Sequence, residues 1–212
     1  MASLQERAAL IQRASANPTL QAALMEKCRR DIFFWFDHFC WTFDPRQEQS
    51  DIPFELYDFQ RGFVKDLCAN IDAGENILIE KSRDMGISWL VLLVFQYYWL
   101  FVPGSNFHLG SRKEEYVDKK GDISTLFEKL RYNHKWLPKW QKPGWNEKEH
   151  SLYMRMINPE SGNIFTGESS NENFARGGRY KAILFDEFPF WPMADLAFAS
   201  ASPASPCQVL VG

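Results

Sequence analysis

The chain has 212 residues, of which 45% are hydrophobic and 24% are charged, so it is long and apolar enough to form a buried core. This composition excludes a disordered or fibrous chain. The chain has 24 Lys and Arg residues and 27 Asp and Glu residues, which give a net charge of −3. It therefore lacks the surplus of basic residues that is typical of a free-standing DNA-binding domain. The four cysteines are far apart and form no Cys/His cluster, so neither a disulfide framework nor a zinc site is expected.

The first predicted elements are helices. Residues 3–28 are predicted to be helical with a break at Asn17-Pro18, and the aromatic-rich residues 31–43 are predicted to pack them onto the main body. Residues 44–53 are polar and contain two prolines, which favours a linker. We therefore expect residues 1–52 to form a helical appendage with its linker, and residues 53–212 to form the main domain. The amino terminus lacks the apolar core of a signal peptide, which favours a cytoplasmic protein.

From residue 54 onward, predicted helices and strands alternate. Helices are predicted over 56–71, 88–102 and 113–136, and strands over 76–80, 107–109, 152–157, 163–166, 182–185 and 208–211. This order predicts an α/β fold with a mainly parallel sheet and helices on both faces. The apolar run within 88–102 is shorter than the roughly 20 residues that span a bilayer, so we expect a buried helix and no membrane. Because the sequence stops directly after an apolar strand, we also expect it to be a truncated domain.

The loop between the first strand of the main domain and the long apolar helix has the features of a phosphate-binding loop. A helix N-terminus presents unpaired N–H groups and a positive dipole to an anion. In the pattern G-x-x-x-x-G-K-[ST], Gly86 takes the second glycine and Ser88 the magnesium ligand, whereas Ile87 replaces the lysine and Lys81 the first glycine. Lys81 is therefore predicted to reach back over the phosphates, with Arg83 as a second charge. The predicted contacts are Lys81, Ser82, Arg83, Asp84, Met85, Gly86, Ile87 and Ser88.

A second motif, Ile183-Leu184-Phe185-Asp186-Glu187, is an apolar strand that ends in two acids. Asp186 is predicted to hold magnesium and Glu187 to activate the attacking water. Adjacent residues of a strand point to opposite faces, so Glu187 must lie just past the strand end for both acids to serve one site. A strand that runs into a surface turn is the alternative for this motif alone. The two motifs together predict nucleotide hydrolysis.

Two further segments support a nucleotide site. Residues 53–60 (PFELYDFQ) offer Tyr57 for stacking on adenine and the amide of Gln60 for hydrogen bonds to it. Arg176 and Arg179 flank two glycines and are predicted to reach a developing phosphate charge, as arginine fingers do; a flexible turn with solvated arginines is the alternative. Residues 135–148 interleave four lysines with three tryptophans, and an anchored lid is favoured there over a nucleic-acid surface.

These motifs resemble the ATPase domain of a large terminase subunit, the motor of tailed-phage DNA packaging. The resemblance covers roughly residues 53–212 and rests on PFELYDFQ, on KSRDMGIS as a deviant Walker A motif, and on ARGGRYKAILFDE. It implies an additional-strand, RecA-like P-loop NTPase fold that binds ATP and Mg²⁺. It also implies phosphate and magnesium contacts at Lys81, Arg83, Gly86 and Ser88, a magnesium carboxylate at Asp186, a catalytic base at Glu187 and an adenine-reading Gln60.

The same resemblance implies partners. These are double-stranded DNA, a homo-oligomeric ring of usually five subunits, the portal protein and the small terminase subunit, in the host cell cytoplasm. Arg176, with Arg179 second, matches the arginine that acts on the ATP of a neighbouring subunit. The nuclease domain of the family has no counterpart in this sequence, so DNA cleavage is not expected. Two alternatives remain: a helicase-type P-loop remodeller, and a structural module that binds nucleotide without hydrolysis, motivated by Ile87.

Overall fold

A computed structural model describes residues 2–82 and 85–212. Its α-helices are α1 Leu4–Ser15, α2 Pro18–Arg30, α3 Ile32–Phe39, α4 Asp58–Ala73, α5 Ile87–Phe101, α6 Glu114–Val117, α7 Leu126–Trp136, α8 Glu147–His150 and α9 Ala194–Ala201. The strands are β1 Trp41–Phe43, β2 Asp51–Pro53, β3 Ile77–Ile79, β4 Phe107–Ser111, β5 Ser151–Leu152, β6 Arg155–Ile157, β7 Ile164–Ser169, β8 Ala182–Phe185 and β9 Gln208–Val211. Within the described ranges, no helix combines the length and apolar character needed to cross a bilayer.

The central sheet has seven strands in the order β3-β9-β8-β4-β7-β6-β5. The first five are parallel, and β6 and β5 extend the sheet as antiparallel strands. The strand β9 lies between β3, which precedes the loop at Lys81, and β8, which ends before Asp186. This arrangement confirms the prediction of a mainly parallel sheet, and it places β9 between the two strands that carry the motifs.

The two faces of the sheet bury separate apolar clusters. Along β8, Ala182 and Leu184 join the larger cluster, whereas Ile183 and Phe185 join the smaller one. This alternation follows from the period of two in a strand. Most of the apolar helix α5 lies in the larger cluster, and α9 covers the opposite face. Helices therefore flank both faces of the sheet, as predicted.

The amino-terminal helices share the larger core. The break predicted at Asn17 is confirmed, because its side chain accepts a hydrogen bond from the Leu20 amide at 3.0 Å and begins α2. On α3, the ring of Trp35 is fully buried and lies 5.8 Å from that of Tyr97 on α5. The division at residue 52 stays a prediction.

Three predicted elements are wrong. The strand predicted over 152–157 is divided by a turn at residues 153 and 154 into β5 and β6, which pair with each other. Residues 113–136 form two helices, α6 and α7, because the backbone becomes extended at Asp118. The Asp118 carboxylate there accepts hydrogen bonds from the guanidinium of Arg131 at 2.6 and 2.8 Å and from the Met154 amide at 2.7 Å. Thr125 then caps the start of α7. The predicted linker 44–53 ends in β2, which pairs antiparallel with β1 and forms a hairpin beside the main sheet.

Candidate functional site

The carboxyl ends of the parallel strands bring the predicted motifs to one edge of the sheet. There, β3 leads to Lys81, β8 leads to Asp186 and Glu187, and β4 leads to Arg112. The helix α5 begins at Ile87, with Gly86 at its N-cap in the left-handed conformation (φ 68°, ψ 13°) that glycine adopts without strain. The first N–H groups of a helix have no partner within it, so this edge offers backbone donors to an anion.

Lys81, Ser88 and Asp186 form one connected polar group. The Lys81 ammonium donates to the Ser88 hydroxyl at 3.1 Å, and that hydroxyl donates to Asp186 Oδ1 at 2.9 Å. The ammonium also lies 4.0 Å from Asp186 Oδ1. The structure therefore brings the displaced lysine together with the two residues predicted to hold magnesium. Arg83 and Asp84, the other two charged residues of the predicted loop, lie outside the described residues.

A cleft of about 920 Å³ extends from this group to the β1–β2 hairpin. It contains six of the predicted loop contacts, which are Lys81, Ser82, Met85, Gly86, Ile87 and Ser88. Tyr57 and Gln60 line it as well. Ile87 is only 6% exposed and belongs to the larger core cluster, so an apolar side chain occupies the position of the usual lysine.

Tyr57 and Gln60 lie at the same cleft but in different environments. The Tyr57 ring is 68% exposed and stacks parallel to Phe59, with ring centroids 5.8 Å apart. The Gln60 side chain is buried; its oxygen accepts from the Tyr57 amide at 3.0 Å and its nitrogen donates to the Met85 carbonyl at 3.1 Å. The amide of Gln60 therefore ties the start of α4 to the predicted phosphate-binding loop, and its reading of adenine stays a prediction.

Glu187 lies just past the end of β8, as the two-acid motif requires. Its backbone adopts the left-handed conformation (φ 56°, ψ 35°), which changes the direction of the chain after Asp186. The carboxylate of Glu187 accepts a hydrogen bond from Arg112 Nε at 2.8 Å. Sequence reasoning missed Arg112, although its position three residues after the predicted strand 107–109 was an available signal.

Lys129 is a second residue of the cleft that the sequence motifs did not indicate. It lies in the first turn of α7, and its ammonium donates to the carbonyl of Ser124. Burial lowers the pKa of Lys129 to about 8; the charge of Asp186 opposes this shift and the charge of Lys81 adds to it. The charges of Asp186 and Lys81 therefore both influence the pKa of Lys129.

The two arginines predicted as fingers lie on a separate exposed loop. Arg176 donates to Asn173 Oδ1 at 2.7 Å, and Arg179 donates to the Gly178 carbonyl at 2.8 Å. Within the described part of the chain, no hydrogen bond or ion pair joins either arginine to Lys81, Ser88, Asp186 or Glu187. Burial tends to raise the pKa of Glu168 at the base of this loop, but His108, whose Nε2 lies 3.4 Å from the carboxylate, and hydrogen bonds from Asn171 and the Ala175 amide bring the pKa below its usual value.

The oxygen atoms of Ser88 and Asp186 suit a magnesium ion. Among residues 2–82 and 85–212, no group of three or more His, Cys, Asp or Glu side chains is arranged to hold a metal by itself. Magnesium is commonly held by one or two carboxylates together with substrate phosphates and water, and it prefers oxygen ligands. A hydroxyl and a carboxylate whose oxygens are 2.9 Å apart, beside a helix N-terminus, fit that mode of binding.

The fold is similar to that of one phage large terminase. The chain is similar to the crystal structure of the HK97 bacteriophage large terminase, with a TM-score of 0.60 and 14% identity over 87% of this chain and 37% of that one. It is also similar to an ATPase domain mutant of the Thermus phage P74-26 large terminase, with a TM-score of 0.48 and 13% identity over 74% and 65% of the two chains. No family model and no curated protein matches the chain. The likeness to the HK97 structure confirms the predicted fold class.

Proposed function

We propose that the chain is the ATPase domain of a viral DNA-packaging motor, which couples ATP hydrolysis to translocation of double-stranded DNA into a procapsid. The observation that carries the proposal is the connected group of Lys81, Ser88 and Asp186, with Glu187 next to it in the chain. This group lies at the carboxyl edge of a sheet whose fold is shared with the HK97 large terminase.

In this proposal each side chain has a defined task. The backbone amides of the loop and Lys81 bind the phosphates, and Ser88 and Asp186 hold Mg²⁺, which supplies neutralisation of charge on the phosphate oxygens. Glu187 accepts a proton from the attacking water. Arg112 is a positioning residue, because its hydrogen bond at 2.8 Å fixes the direction of the Glu187 carboxylate.

The remaining predicted residues bind the adenine of the nucleotide or act on the neighbouring subunit. The exposed ring of Tyr57 stacks on adenine, and Gln60 reads it. Arg176, with Arg179 second, acts on the ATP of the next subunit in a ring of five, which is consistent with their exposed loop. The ring works in the host cytoplasm with the portal protein and the small terminase subunit, and residues 53–212 form its ATPase domain.

The test of hydrolysis measures ATP turnover and ATP binding by the assembled motor. Glu187→Ala is expected to abolish turnover and to leave ATP binding intact. Lys81→Ala is expected to abolish ATP binding, whereas Ile87→Ala, at the usual lysine position, is expected to retain it. Equal turnover by wild type and Glu187→Ala would contradict the catalytic assignment. ATP binding by a wild type that shows no turnover would favour the non-hydrolysing structural module.

The test of the arginine uses mixed rings. Subunits that carry Arg176→Ala and subunits that carry Glu187→Ala are each expected to be inactive, and mixing them is expected to restore part of the turnover. The restoration follows because one interface of a mixed ring then holds both an intact arginine and an intact carboxylate. Mixtures with Arg179→Ala serve as the comparison. Absence of restoration at every mixing ratio would rule out action between subunits.

A further inference from the structure

Among the described residues of the loop, only Lys81 carries a positive charge. The position that normally carries the loop lysine holds Ile87, which is buried in the core and has no charge. Lys81 is already hydrogen-bonded to Ser88 and close to Asp186, so part of its charge is opposed by a carboxylate. A triphosphate bound at this edge is stabilised by each further cation that the cleft contributes.

Lys129 is a cation of the same cleft, contributed by a different element. An ammonium has three donors, and one of them is directed to the Ser124 carbonyl. Within the described part of the chain, no other hydrogen-bond acceptor and no carboxylate pairs with Lys129. A half-buried cation with unused donors in a cleft is suited to an anionic ligand, because a charged donor forms strong hydrogen bonds to phosphate oxygens.

The position of Lys129 is fixed relative to the phosphate loop. The next residue, Leu130, accepts a hydrogen bond through its carbonyl from Gln96 of α5 at 3.1 Å. Asn133, one turn further on α7, donates to the Gln96 side chain at 2.8 Å and accepts from the Trp41 amide at 2.8 Å. Because α5 begins at the loop itself, these contacts hold α7 and the loop as one unit.

We propose that Lys129 binds the phosphates of the nucleotide and supplies the positive charge that Ile87 does not. This role rests on the proposed function, since it takes the cleft to be the ATP site. Lys81 approaches the phosphates from the end of β3 and Lys129 approaches from α7, so two displaced lysines replace the usual one. The ligand class is a nucleoside polyphosphate, and a nucleoside monophosphate gains little from the second cation.

The test compares equilibrium binding of ATP and AMP to the full chain and to matched variants. Lys129→Met keeps the apolar part of the side chain and removes the charge. We expect it to weaken ATP binding about 10- to 100-fold, the effect of one charged hydrogen bond, and to change AMP binding less than about twofold. The control is Lys135→Met, the same change at an exposed position of α7, which is expected to bind both nucleotides as the wild type does.

Two further measurements separate the possible failures. Lys129→Arg restores the charge and is expected to recover part of the ATP affinity, and thermal melting of each variant shows whether the fold is intact. Wild-type ATP affinity in a folded Lys129→Met variant would overturn the role of Lys129 and leave the proposed function standing. Failure of the wild type itself to bind ATP would overturn both.

Discussion

Replacing Glu187 by glycine is expected to give a more stable protein than replacing it by alanine, although both changes remove the carboxylate. Glu187 has φ 56° and ψ 35°, a conformation that costs an L-residue roughly 1–2 kcal/mol and costs glycine almost nothing. Glycine loses roughly 0.4–1 kcal/mol more chain entropy on folding than alanine does. The midpoints of the two ranges leave the glycine variant about 0.8 kcal/mol more stable.

The comparison of the two variants removes the other contribution of this side chain. The ion pair with Arg112 joins two side chains that are each 39% exposed, and such pairs contribute about 0.2–1 kcal/mol. Both variants lose this pair, so it does not enter the difference between them. Urea unfolding of Glu187→Gly and Glu187→Ala gives the difference directly from the two midpoints.

Ser202 provides a control of opposite sign. It is exposed and has the right-handed helical conformation (φ −55°, ψ −40°), so Ser202→Ala is expected to be more stable than Ser202→Gly. A Glu187→Gly variant that is no more stable than Glu187→Ala would refute the inference that backbone strain resides at this position. ATP turnover by either Glu187 variant would refute its role as the catalytic base.

Three other changes have expected outcomes. Arg7→Met is expected to lower the free energy of unfolding by about 3 kcal/mol in a urea titration, because buried Arg7 donates to the carbonyls of Cys40 at 2.8 Å and Phe36 at 3.3 Å. Burial lowers the pKa of His134 to about 3, so the unfolded chain binds the proton first and stability falls by about 2 kcal/mol from pH 7 to pH 5. His134→Phe is expected to remove this part of the fall in stability between pH 7 and pH 5, and an unchanged fall would contradict the role of His134. Arg112→Ala is expected to lower kcat about tenfold at unchanged ATP affinity, with partial recovery in Arg112→Lys, and a loss of affinity instead would contradict the positioning role.

The sequence predicted the elements whose pattern is local. The strand before Lys81, the apolar helix after Ser88 and the strand before Asp186 were all confirmed, because each has a continuous apolar run with a clear end. The placement of Glu187 past the strand end also followed from the pleat alone, since adjacent strand residues cannot face one site. These features depend on neighbours in the chain and not on the rest of the fold.

Contacts between distant segments were not predictable in this way. The break between α6 and α7 depends on Asp118 binding Arg131 and the Met154 amide, and no local pattern indicates those partners. Arg112 and Lys129 are single charged residues among many, and they join the site only because the order of the strands and the packing of α7 bring them there. Their identification required the tertiary structure.

The buried amide of Gln60 has a consequence for which molecules the cleft accepts. One side chain holds the backbone at Tyr57 and the backbone at Met85 together, so the aromatic end and the anion end of the cleft are kept at a constant separation. We therefore expect the cleft to select ligands by their length as well as by the chemistry of either end. Exchange of Gln60 for a shorter side chain would remove the link between Tyr57 and Met85 without changing the residues at either end of the cleft.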